Sequence, residues 1–359
     1  MPKTLLKEVH CDYHPKYFAG RLPIIPQTGT LWKLAGDIMY TALQRHTAII
    51  LFLTALVSCW QNISHAAQKE LLWTGCGISK LGFMEDLAKA YEKKTGIKII
   101  LKGGGATKGL REVSSLHSDL GGSCRLPLVY KNKDGGYDIE DSETKLKIIP
   151  VGWDALVVIV NKDTPLIDSI SREQLRDVLT GKITHWNELG AATDKPINLY
   201  IREGKISGVG RTLRQQLFDN PDQEFTGHAI RLASSGKIEK AVAADPYGLA
   251  VSGISSSRHR PVKMLKLEDI EPNMETLQAG KYHLYRLLFL VVSDTYRERP
   301  EIADFVKFAL SVDGQKVIRN AGTLPYHQGV SLIVKATSQD YLNSIDIMER
   351  YKIYTLSGQ

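Results

Sequence analysis

The sequence predicts a two-lobed α/β protein with a discontinuous first lobe. Three observations carry that prediction: a strand, glycine turn, helix rhythm from residue 71 onward, two long apolar strands at 148–161 and 287–292, and a block of about 125 residues between them with helices and strands of its own. A chain of 359 residues, 43% hydrophobic and 24% charged, is long enough to bury two cores.

The N-terminal part carries an apolar run at 47–60, TAIILFLTALVSCW. Its fourteen residues, at roughly 1.5 Å rise each, are too short to cross a hydrocarbon core of about 30 Å. Arg45 precedes the run and the small residues Ala66 and Ala67 follow it, the layout of an export signal spanning 39–67. Residues 1–38 then read as an upstream extension from a misassigned start codon. Two processing routes are open: cleavage near Ala66 or Ala67, or lipidation of Cys59, which closes the box Leu56-Val57-Ser58-Cys59. Either route places the protein outside the cytoplasmic membrane, in the periplasm or its equivalent, where disulfides are permitted.

The charge pattern narrows the partners. The formal charge is +7, but Lys and Arg are spread without a basic tract, which argues against a nucleic-acid partner. Losing residues 1–66 removes six basic and three acidic residues and brings +7 to +4, a balance that favours a small anionic ligand.

Residues 71–74 predict a short buried strand leading into Gly75-Cys76-Gly77, and apolar residues at helical spacing predict a helix over 83–94, stopped by Gly96. A strand at 97–101, a turn at Gly103-Gly104-Gly105 and a helix at 107–116 follow. Residues 130–147 read as a polar loop. Within the central block, 171–179 predicts a helix and 197–201 a strand. Largely parallel sheets of this kind bind ligands at the carboxyl ends of their strands.

Four glycine-rich loops sit at such positions: 74–79, 103–109, 121–125 and 207–212. A helix start offers unpaired backbone N–H groups and the positive end of the helix dipole, so each loop is a potential anion site. Arg125, Arg202 and Arg211 lie in or near them, and arginine recognises oxyanions with a planar, two-pronged fork. Enzyme signatures are missing. No Gly-x-x-x-x-Gly-Lys-Ser/Thr occurs, the histidines have no metal-ligand spacing, and nothing pairs Asp119, Asp154 or Glu203 with a nucleophile. The expectation is a binding protein with no catalytic residue, metal or cofactor, in which Asp119 and Glu203 are solvated or structural and Asp154 packs at a helix or hinge.

The chain resembles the phosphate-binding component of bacterial ABC phosphate importers, within the type II periplasmic binding protein superfamily, over nearly all of 70–326. The resemblance rests on Asp177-Val178-Leu179-Thr180-Gly181-Lys182-Ile183-Thr184-His185-Trp186-Asn187, on the opening Thr-Gly-x-Gly with the glycine-rich second loop, and on Val151-Gly152-Trp153-Asp154-Ala155 as the first lobe crossing. It implies one lobe from 68–152 plus 288–359, the last part including a C-terminal extension, and a second lobe from 153–287. It also implies hinges near 151–155 and 286–289, a monomer, and an ABC permease as partner or, alternatively, a sensor kinase.

Carried over residue by residue, the resemblance implies a ligand site made by Ile78, Ser79, Ala106, Thr107, Cys124, Arg125, Arg202, Ser207, Gly208 and Val209. Ala106 and Val209 stand where the family has hydroxyls, and Cys124 where it has an aspartate. An ionised carboxylate only accepts hydrogen bonds and so penalises sulfate, which has no proton to give, whereas a thiol does this weakly. By the family's strand order Cys76 and Cys124 are neighbours, which leaves three readings open: a disulfide, a thiol pair for a thiophilic ligand such as arsenite, or two packed small residues.

Overall fold

The computed structural model describes residues 70–163 and 166–335. The expected extension at 1–38, the signal at 39–67, the Cys59 box and residues 336–359 lie outside the described residues.

Three strands open the fold: β1 (Glu70–Gly75), β2 (Lys98–Gly103) and β3 (Leu120–Ser123), in the order β2-β1-β3 and all parallel. Gly75 pairs in register with both Gly103 and Gly122, so the three strands end side by side. Between β3 and the long sixth strand the chain makes a hairpin of β4 (Val129–Lys131) and β5 (Tyr137–Ile139). Residues 130–147 therefore correct the expectation of a polar loop. These strands are short and mostly exposed, so no apolar alternation marks them.

β6 (Leu146–Asn161) is buried along its whole length except at Lys147. Both faces are covered, which is why its apolar residues run on without alternating. The rest of the sheet is built around it. β7 (Ser169–Ile170) pairs with β12 (Lys266–Leu267) to one side, while β8 (Asn198–Arg202) lies between β9 (Ile230–Leu232) and β10 (Gly248–Gly253), parallel to both. β10 and β11 (Val262–Met264) pair antiparallel with the second half of β6, from Leu156 onward. β13 (Tyr285–Ser293) and β14 (Leu324–Pro325) pair with its first half, up to Ala155. β13 also pairs with β3, completing the order β2-β1-β3-β13-β6-β10-β8-β9. The two halves of β6 thus belong to different lobes, and the first lobe is discontinuous. A register shift falls between Leu288 and Phe289, opposite Val151, close to the change of partners.

The helices follow local rules. Ser171 and Gln174 cap the helix Arg172–Thr180 reciprocally (3.0 and 2.9 Å), and Gly181 ends it in the left-handed conformation. The helix expected over 83–94 begins earlier. Cys76 caps a turn at Gly77–Ser79, a π-helical turn at Lys80–Met84 continues it, and Glu85–Thr95 completes it up to Gly96. The side chains of Phe83, Met84, Leu87 and Tyr91 are buried, Tyr91 against the rings of Phe305 and Phe308, and the burial of Phe83, Met84 and Leu87 contributes about 1.5 to 3 kcal/mol each. No helix among the described residues is long and apolar enough to cross a membrane.

Candidate functional site

The carboxyl ends of the parallel strands converge on one cavity of about 270 Å³. From the first lobe it is lined by Cys76 and Gly77 after β1, by Gly103, Gly104, Gly105 and Ala106 after β2, and by Cys124 after β3. The second lobe contributes Arg202 at the end of β8, Gly208 and Val209 at the start of the helix Gly208–Phe218, and Ser234, Ser235 and Gly236 at the start of the helix Ser235–Ala244. No carboxylate is among these lining residues.

Each helix start is set by its own residues. Ser207 caps the helix Gly208–Phe218 by accepting from the Gly210 N–H (3.3 Å), and Ser234 caps its helix by accepting from the Lys237 N–H (3.2 Å). The helix Ala106–Ser114 has Gly105 at its cap with no side-chain hydrogen bond, which leaves its first N–H groups for the cavity. Gly105 is the position where glycine is required, with φ +96 and Arg202 Nη2 only 3.3 Å from where a Cβ would stand. Its N–H donates to the Gly75 carbonyl (3.1 Å), which ties the first two loops together.

Arg202 spans the cleft. Its Nη1 donates to the Leu232 carbonyl (3.0 Å), while Nη2 reaches the Gly105 loop of the other lobe. Burial pulls this guanidinium below its ordinary value, with Cys124 and Glu203 acting in the opposite direction. Gly208 closes on the other side: a Cβ there would stand 2.3 Å from Cys124 Sγ and 3.5 Å from the Ala106 Cβ. At this point the second lobe presents backbone, with no side chain of its own, to Cys124 and Ala106.

Cys76 and Cys124 are both free and buried in this structure, so of the three readings of the pair the disulfide is not formed here. The two thiols interact, each shifting the titration of the other. Cys76 Sγ also accepts from the Ser79 N–H (3.3 Å) and lies 3.0 Å from Ser79 Oγ. Burial alone would push the Cys76 thiol up, but the hydrogen bonds from Cys124 and Ser79 and the charge of Arg286 bring it down to about 7. The Cys124 thiol is pushed the other way, by its hydrogen bond to Cys76 and by burial.

Five of the expected ligand residues line the cavity: Ala106, Cys124, Arg202, Gly208 and Val209. The other five stand behind it. Ile78 and Ser79 are fully buried, with the Ser79 hydroxyl turned to Cys76, and Ser207 is used as a helix cap. Arg125 is held by both oxygens of Glu143 (2.7 and 2.8 Å) and by the carbonyls of Leu126 (2.8 Å) and Ile206 (2.9 Å). Thr107 accepts from Arg125 (3.0 Å) and donates to the Ile206 carbonyl (3.4 Å). Arg125 and Thr107 thus join the lobes beside the cavity rather than facing it. Sequence reasoning missed Ser234, Ser235 and Gly236, although their signal, a small-residue turn with a serine cap after a strand, is the one that marks the other loops.

The carboxylates have structural partners. Asp154 accepts from Arg286 Nη2 (3.1 Å), the Ser255 N–H (3.1 Å) and Ser255 Oγ (2.7 Å), next to the point where β6 changes partners. Asp119 accepts from the Leu72 N–H (2.7 Å) and pairs with Arg299. No group of three or more His, Cys, Asp or Glu residues fit to hold a metal ion occurs among the described residues.

Known proteins share this architecture. Among curated relatives, the phosphate-binding protein PstS of Borreliella burgdorferi is 24% identical over 205 residues, 55% of this chain and 72% of the relative. That of Staphylococcus epidermidis is 25% identical over 186 residues, 49% of this chain and 56% of the relative, so the match spans little more than half of that protein. A Clostridium perfringens protein crystallised with bound phosphate superposes with a TM-score of 0.61 at 23% identity, covering 72% of this chain and 99% of that one. An ABC-type phosphate transport receptor from Vibrio cholerae superposes with a TM-score of 0.51 at 21% identity, covering 72% of this chain and 100% of that one. At such identities the likeness concerns the fold. Residues 65–313, well over half of the sequence, match the PBP superfamily domain, and the chain belongs to that superfamily.

Proposed function

We propose that this protein is an exported solute-binding protein that captures a small oxyanion, phosphate foremost, and delivers it to an ABC permease in the membrane. The observation that carries the reading is the convergence of uncapped or serine-capped helix starts and the Arg202 guanidinium on one cavity between two lobes. Such a site offers N–H donors from several directions and a single two-pronged cation, which suits a tetrahedral anion. The names of the curated relatives and the phosphate in the Clostridium structure support phosphate as the ligand.

In this reading the lobes comprise 68–152 with 288–359, and 153–287. Binding shifts an open-to-closed equilibrium about β6 and β13, near Val151–Ala155 and Arg286–Phe289, with no bond made or broken. The protein acts as a monomer, processed either by cleavage near Ala66 or Ala67 or by lipidation at Cys59. Because no carboxylate lines the cavity, discrimination between protonated and unprotonated anions is weaker than an acidic residue would impose.

Calorimetric titration with phosphate, arsenate, sulfate and molybdate tests this. Phosphate is expected to bind and sulfate to compete measurably. A protein that binds none of the four, with no rise in melting temperature, sinks the proposal.

A further inference from the structure

The two cysteines on the cavity floor have a chemistry that oxyanion capture does not use. β1 and β3 are adjacent parallel strands with Gly75 opposite Gly122, so Cys76, directly after Gly75, and Cys124, two residues after Gly122, leave the ends of neighbouring strands. Both are free and buried, and both line the cavity. Beneath them lies Arg286, only 2% exposed, whose Nε and Nη1 have no hydrogen-bond partner and which borders a small void together with Cys124.

We infer that Cys76 and Cys124 form a dithiol site for trivalent arsenic, the two sulfurs binding one arsenic atom at the floor of the same cleft. Two neighbouring thiols select a soft, thiophilic centre. The surrounding charge then decides which one. A soft cation such as Hg(II) or Cu(I) meets two guanidiniums, Arg202 across the cavity and Arg286 below it, whereas arsenous acid is neutral and meets no such repulsion. Its hydroxyl groups also suit the donors of the cleft.

The step balances without an oxidant. As(OH)3 reacts with two S–H groups to give two As–S bonds and two molecules of water, each thiol proton leaving with one hydroxyl, while arsenic stays trivalent. The third hydroxyl remains on arsenic, placed to accept from the N–H groups that open the helix Ala106–Ser114 and from Arg202.

The inference rests on the cavity being the ligand cleft, and the test keeps the two readings apart. Phosphine-reduced full-length protein is titrated with sodium arsenite and with phenylarsine oxide, followed by calorimetry, intact mass and thiol counting, with phosphate titrated in parallel. The expected result is one arsenic per chain, loss of both titratable thiols, reversal by a small dithiol, and competition by phosphate. Cys76→Ser and Cys124→Ser are each expected to weaken arsenite binding by at least about a hundredfold, since one sulfur forms no chelate. Their melting curves and circular dichroism spectra show that they are folded. Thiols that stay titratable at saturating arsenite overturn the proposal in the wild-type protein alone, whatever the variants do, and so does a single variant that binds as tightly as wild type. Phosphate binding without arsenite binding overturns this inference only; failure of both overturns the cleft reading as well.

Discussion

Arg125 and Glu143 form a two-pronged ion pair, Nη2 to Oε1 at 2.7 Å and Nη1 to Oε2 at 2.8 Å, with both side chains almost fully buried. The same guanidinium donates to the Ile206 carbonyl one residue before the Ser207 cap, so the pair is also a link between the lobes. Removing one member leaves the other buried and uncompensated. Glu143→Ala is therefore expected to lower unfolding stability by about 3 to 5 kcal/mol in chemical denaturation. Loss of less than about 1 kcal/mol would mean that the pair is open to solvent.

Arg202 is the cation that lines the cavity, and its role is in binding. Arg202→Ala is expected to weaken phosphate binding by on the order of 1.5 to 3 kcal/mol, tenfold to a hundredfold, with little change in melting temperature. Calorimetry of the variant beside wild type measures it. Equal affinities would assign the anion to another site.

Gly208 has no room for a methyl group while Cys124 faces it at 2.3 Å from the Cβ position. Gly208→Ala is expected to cost about 1 to 3 kcal/mol of closed-state stability, read as lower affinity, because the sulfur must move or the lobes must part. Removing the sulfur in Cys124→Ala should restore part of that loss. A double-mutant cycle with no coupling between the two positions would show that they do not touch when ligand binds.

The thiol pair predicts a pH signature. The folded value of Cys76 is about 7, below its ordinary value of 9.0, so its ionised form adds stability that is fully present above about 9 and fades as pH falls toward 7. Cys124 is raised, so its protonated form adds stability below the ordinary thiol range that is lost as pH rises through its folded value. Thiolate absorbance and alkylation rate in the reduced protein should therefore show one step near pH 7 that disappears in Cys76→Ser. Two thiols titrating together in the ordinary range would contradict it.

Much of the site was legible because it is local. A glycine or serine turn between a strand and a helix announces an N–H cluster in a few consecutive residues, and the loops at 74–79, 103–109, 121–125 and 207–212 all lie where such turns place them. Side-chain direction is not local. Arg125 and Arg202 look alike as arginines next to glycine-rich loops, yet Glu143, eighteen residues further on, takes the first out of the cleft and leaves the second in it. The sequence marks Asp154 as a residue packed at a helix or hinge, but that Arg286, 132 residues away, is its partner follows only from the pairing of β13 with β6.

By itself the sequence determined the alternation of strands, turns and helices, the long buried strands β6 and β13, and hence the two-lobed architecture, because these depend on the spacing of apolar residues and on glycine. Only the tertiary structure decided which of the charged and sulfur-bearing side chains face one another. That choice is made by strand register and lobe packing, which bring Cys76 and Cys124 to the ends of neighbouring strands and Gly208 against Cys124, across sequence distances that no local pattern encodes.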